Sequence, residues 1–212
     1  MIIESDYIIM KELIKKRHLI PIAVWFVIYM GLFGFLEIVP PKEVHLIHCA
    51  MDDMIPHMAV FIYPYVSWFP YIVVCAYLAI KNLDDRQFKK AVLVLTTGMN
   101  IISFVWPTGL NLREGIVYDL HTLSGNLLKF VQTVDTPKSV FPSMHVYVTL
   151  VLQYTLEMQK KLVPSWGIWV GRVLAVLIVL STMFTKQHSV LDVSAAIVMF
   201  AVLVVVVEKI VK

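Results

Sequence analysis

His188-Ser189-Val190-Leu191-Asp192-Val193-Ser194-Ala195-Ala196-Ile197-Val198-Met199-Phe200-Ala201-Val202-Leu203-Val204-Val205-Val206-Val207-Glu208 carries no charge between Asp192 and Glu208. A helix needs roughly 20 mostly apolar residues to cross a bilayer core of about 30 Å, so this stretch reads as a membrane span. Its opening places a histidine and a carboxylate four residues apart at the membrane boundary. On a helix these two share a face, and the carboxylate can accept a hydrogen bond from the imidazole.

Working back from this span, the same pattern recurs. Six spans are predicted at about 19–38, 57–80, 88–106, 143–158, 166–184 and 188–208. The chain is 59% hydrophobic and 16% charged, too little charge for the surface of a water-soluble domain of 212 residues. The expected fold is therefore all-α, an integral membrane bundle of six transmembrane helices, with residues 1–212 forming a single membrane-embedded domain. The first apolar run lacks a small-residue cleavage site and ends in Pro40 and Pro41, so it is expected to stay as a span. The net charge of +3 is small and dispersed, which argues against nucleic acid as a partner. Cys49 and Cys75 make no disulfide framework.

Positive charge sets the expected orientation. Twelve Lys and Arg lie at one set of span ends, in the segments 11–17, 81–90, 160–161 and 209–212. The other set holds five: Lys42, Arg113, Lys129, Lys138 and Lys186. Both termini are expected in the cytoplasm, with Arg172, inside the fifth span, snorkelling to that interface. The long segment 107–142 then lies outside. Its Ile116, Leu120, Leu123, Leu127 and Val131 fit one face of a surface helix, which Gly125 weakens; a loop packed over the bundle is the alternative.

The outer ends hold the chemistry. Phe141-Pro142-Ser143-Met144-His145 opens the fourth span, with Ser143 able to cap it. A helix N-terminus binds anions through its free N–H groups. Because 43 residues separate His145 from His188, about two membrane crossings and a turn, both histidines return to the same side. Arg113 lies on that side too, and its guanidinium fork suits a phosphate group. A His backed by an Asp, a second His, and an Arg beside a helix N-terminus are the parts for phosphoryl transfer through a phosphohistidine.

These residues carry a resemblance to the type-2 phosphatidic acid phosphatase superfamily, whose motifs are Lys-x6-Arg-Pro, Pro-Ser-x-His and Ser-Arg-x5-His-x3-Asp. The second is complete as Pro142, Ser143, Met144 and His145, and the third matches at Ser181, His188 and Asp192. The resemblance spans the six-helix layout and implies His188 as nucleophile, Asp192 as its orienting carboxylate, His145 as general acid, and Ser143 and Arg113 as phosphate ligands. Trp106 stands where the first-motif Lys would fall, Glu114 at its Pro, and Thr182 at the third-motif Arg. Lys186 and Lys138 are the candidate replacement cations. Such looseness in the first motif is similar to that of sphingolipid and inositol-phosphoryl transferases.

The expected function is metal-independent hydrolysis of a membrane lipid phosphate on the extracytoplasmic side, with no cofactor. Transfer of the phospho-head group to an alcohol acceptor is the alternative within this chemistry, and a non-catalytic lipid-binding membrane protein the alternative outside it. His45, His48, Cys49, Asp52 and Asp53 offer metal donors at a spacing that fits no closed zinc pattern. Asp53 and Pro56 are expected instead to shape the outer entrance. Tyr63, Pro64, Tyr65 and Trp68 are expected to form an aromatic, kinked second span facing lipid or a substrate tail.

Overall fold

The protein is described by a computed structural model covering residues 22–32, 34–35, 43–105 and 107–211. The described residues fall into two units, one within residues 1–39 and one within 40–212. In the first unit a short apolar helix, α1, runs over Ile22–Leu32. The limits expected for that span, 19 and 38, lie outside the described residues.

The second unit is mostly helical. It contains α2 (Ala50–Met54), a 3-10 turn (Ala59–Phe61), α3 (Ile62–Val66), α4 (Trp68–Asn82), α5 (Asp85–Phe104), α6 (Leu123–Val134), α7 (Met144–Met158), α8 (Ser165–Phe184) and α9 (Val190–Ile210). Among the described residues three stretches are long and apolar enough to cross a membrane: Ala59–Asn82, Ser165–Phe184 and Val190–Ile210. Local chemistry starts the other two long helices. Asp84 caps α5 by accepting from Gln87 N at 2.8 Å, and Ser143 caps α7 by accepting from Val146 N at 3.3 Å.

Helix α7 is the hub, packed against α4, α5, α8 and α9. Its 15 residues rise only about 22 Å, so it is short for a span, but most of its surface meets protein. The closest approach is at Gly98 on α5, where an added Cβ would stand 2.0 Å from Tyr147 Cζ. The Tyr147 hydroxyl donates to the carbonyl of Val94 one turn away. The second span is interrupted at Ser67, between α3 and α4. Pro70 has no N–H to offer the carbonyl of Val66, and Ser67 Oγ donates to Pro64 O at 2.6 Å.

The segment 107–142 is part loop and part helix. Residues 123–134 form α6, capped by Thr122 Oγ1, which accepts from Gly125 N at 3.1 Å. Gly125 does not weaken this helix: it lets the first turn approach Asp119, whose carbonyl oxygen an added Cβ would meet at 2.0 Å. Ile116 and Leu120 lie outside the helix, and Leu123 is exposed. The packed face is centred on Leu128, which joins Ile62 and Tyr65 with Leu127 and Val131 beside them. Two short strands that the hydrophobic pattern does not predict, β1 (His45–Leu46) and β2 (Thr108–Gly109), pair in parallel, and Gly109 also bridges to Lys138. They join the segments before α2, after α5 and before α7.

Candidate functional site

Helix α8 ends in a turn at Thr185–Lys186, with Lys186 in the left-handed region at φ 57°. The chain then passes through Gln187 and His188 to Ser189, the N-cap of α9. His188 therefore precedes the helix, and the shared-face argument for His188 and Asp192 is replaced by a capping one. Asp192 is the third residue of α9, and its Oδ2 accepts Ser189 N at 3.0 Å in a capping box. The same oxygen accepts His188 Nδ1 at 2.9 Å. One carboxylate thus starts the helix and fixes the imidazole.

Ser143 N donates to the backbone oxygen of Asp192 at 3.1 Å, which ties the start of α7 to the start of α9. This brings His145 Nδ1 to 3.4 Å from His188 Nε2. His145 and His188 are 8% and 7% exposed, while Ser143 and Asp192 are fully buried. The His145 ring lies against Trp68 and Tyr65, with centroids 4.5 and 4.9 Å away. Tyr65 and Trp68 are accordingly buried against the histidine, where the sequence suggests lipid or a substrate tail; Tyr63 is the exposed member of that group.

Tyr65 also brings in a residue that the sequence analysis missed. Its hydroxyl lies 3.0 Å from His145 Nε2 and 2.6 Å from Asp135 Oδ2, at the end of α6. No spacing rule links Asp135 to either histidine, 80 residues of chain folding back to place Tyr65 between them. Arg113 reaches the same place, donating through Nη1 to Asp135 O and through Nη2 to Gln187 Oε1. Among the described residues Arg113 Nε, Gln187 Nε2 and Trp68 Nε1 are buried donors without an acceptor, and Asp192 Oδ1 is a buried acceptor without a donor.

Lys186 has partners outside the histidine row. Lys186 Nζ donates to the carbonyl oxygens of Asp52 and Ile55 at 2.6 Å each, clamping α2. Lys138 is exposed, and its backbone bridges to Gly109. Ser181 and Thr182 turn their hydroxyls back onto α8, to Ile178 O at 2.6 Å and Val179 O at 2.8 Å. Trp106 lies outside the described residues.

The five metal donors between His45 and Asp53 do not converge. Asp52 is 2% exposed and accepts Ser189 Oγ at 2.7 Å and Val190 N at 2.8 Å, beneath the start of α9. Asp53 pairs with His48 at 2.9 Å instead. Burial raises the Asp52 pKa, but the donations from Val190, Ser189 and Cys49 outweigh it and hold the carboxyl below its ordinary value.

In chemical terms the site offers a nitrogen nucleophile with its tautomer set by a carboxylate, a second imidazole next to it, and several buried N–H donors suited to oxygen anions. No protein-family model, no curated protein and no solved structure matches this chain.

Proposed function

We propose that the protein is a membrane lipid-phosphate phosphatase that works through a phosphohistidine on His188, in the manner of the type-2 phosphatidic acid phosphatases it resembles. The row Asp192–His188–His145, with contacts of 2.9 and 3.4 Å, is the observation that carries this reading. Asp192 holds the proton on His188 Nδ1, so Nε2 presents its lone pair to phosphorus. Arg113, Gln187, Trp68 and the positive end of α7 meet the phosphoryl oxygens. His145 protonates the leaving alcohol and then accepts a proton from the water that releases phosphate. Charge on the phosphoryl group is met by these groups, and activity is expected to survive chelation by EDTA.

The lipid part of the reading rests on the apolar helices around the site. A phosphate ester with hydrocarbon tails can bring its head group to a polar site at a membrane boundary. In the full proposal six helices span the membrane, both termini are cytoplasmic, and the histidines lie at the extracytoplasmic face. The test uses purified protein in detergent with radiolabelled phosphatidic acid. Inorganic phosphate is expected without an added acceptor, and an acid-labile phosphoenzyme after rapid quench; His188→Ala loses both. Label transfer only when an alcohol acceptor is supplied would identify a phosphotransferase, and label retained in His188→Ala would overturn the nucleophile.

A further inference from the structure

Five buried or half-buried groups form one continuous row: Asp192, His188, His145, Tyr65 and Asp135, joined by contacts of 2.9, 3.4, 3.0 and 2.6 Å. Each contact needs one proton to be a hydrogen bond. With both carboxylates ionised and both imidazoles neutral, the phenol and the two rings supply three protons for these four contacts. The short contact to Asp135 takes the phenol proton, since an ionised carboxylate only accepts. His145 must then donate through Nε2 to the phenol oxygen, as His188 donates through Nδ1 to Asp192. The contact left without a proton is the longest one, between His188 Nε2 and His145 Nδ1, and these are the two nitrogens that the phosphotransfer reading needs.

We propose that Asp135, acting through Tyr65, is the positioning residue for His145: it holds the Nε2–H form and stabilises the imidazolium, as Asp192 does for His188. This rests on the phosphatase reading and extends it to a second carboxylate. When the fourth proton enters the row it sits on His145 Nδ1. With substrate in place, His188 Nε2 forms the bond to phosphorus, the ester P–O bond breaks, and the leaving oxygen takes that proton. Neutral His145 then removes a proton from water, whose oxygen displaces Nε2 from phosphorus and returns the row to its starting count.

Among the described residues, the titratable and charged groups around His145 are Tyr65 on α3, Asp135 at the end of α6, Arg113 in the loop before it, and His188 and Asp192 at the start of α9; α4 contributes the uncharged Trp68 ring. The Asp135 carboxylate attracts positive charge on the His145 ring through the Tyr65 link, and the Arg113 guanidinium, which donates to Asp135 O, repels it. Asp135→Asn and Tyr65→Phe should therefore move the basic limb of kcat/KM for a lipid phosphate to lower pH by about one unit. Turnover of p-nitrophenyl phosphate, whose leaving group departs without a proton, should keep its profile. A limb that stays in place in both variants overturns the proposal.

A readout independent of activity separates this inference from the function itself. In protein labelled with nitrogen-15 histidine, His145 should show the Nε2–H tautomer when neutral, and Tyr65→Phe should populate the other tautomer. An Nδ1–H tautomer in the unaltered protein overturns the relay whether or not the protein is a phosphatase. Absence of phosphate release and of phosphoenzyme in the unaltered protein overturns the phosphatase reading and leaves the tautomer result to decide the relay.

Discussion

At the residue scale, the two histidines differ in what stands behind them, and this separates their expected mutants. His145→Ala removes an acid that a departing alcohol needs and p-nitrophenolate does not. Its loss should be about 100-fold or more with a lipid phosphate, and clearly smaller with p-nitrophenyl phosphate. Equal losses with both substrates would remove the acid role. Asp52 tells a different story, because it touches neither histidine and yet holds Ser189, the cap of α9, from below. Its carboxyl is held below the ordinary carboxylate pKa in the folded protein. Such a group adds stability above its unfolded pKa of about 3.9, and that share is lost as pH falls through the lower folded value. Asp52→Asn puts an amide where donors expect an acceptor and should cost about 2 kcal/mol near neutral pH. Thermal unfolding in detergent should show the gap to the unaltered protein closing below about pH 4; a pH-independent gap would assign the loss to packing alone.

At the element scale, the positions of α5 and α7 depend on the absence of a side chain at Gly98. The Tyr147 ring fills that space, so Gly98→Ala forces ring or helix to move and should cost about 1–3 kcal/mol. The same substitution should cost less in a Tyr147→Leu background, since the atoms an added Cβ would strike are the far edge of the ring. Equal cost in both backgrounds, measured by thermal unfolding, would show that the contact is not what sets the spacing. At the other end of the bundle, Arg172 is not left to snorkel by itself. It donates to Glu157 on α7 through Nε at 2.7 Å and Nη2 at 2.9 Å, and its guanidinium lies 4.6 Å from the Trp169 ring. Glu208 near the end of α9 likewise takes Lys90 on α5. Charged groups thus gather at both ends of the helices, ion pairs at one and the histidine row at the other.

For the whole molecule, this polarity makes orientation a direct test of the proposed site location. Gly109 is a poor reporter because it is buried in the strand pair, whereas Val117 in the same long segment is 89% exposed. In a Cys49→Ser, Cys75→Ala background, a cysteine replacing Val117 should react with an impermeant maleimide in intact cells. One replacing Asp85, exposed at the start of α5, should react only after permeabilisation. The reverse pattern would put the histidines on the cytoplasmic side.

Helix positions for α4, α5, α7, α8 and α9 were legible in the sequence because apolar runs and capping residues are local signals: Ser143 stands at the helix start that such signals give. The motif spacing likewise selected His145, His188 and Asp192, which the fold joins in one row. Other features depended on contacts between distant segments and left no periodic trace. Asp135 reaches the row only because α6 packs on α3 through Leu128, and Asp52 reaches α9 across 137 residues of sequence. Lys186 looked like a phosphate ligand from its place beside His188, but a side chain's direction follows from the backbone that carries it. The left-handed turn after α8 aims this ammonium at α2. Sequence spacing limits which residues can share an end of the bundle; the caps, turns and helix contacts choose which atoms meet there.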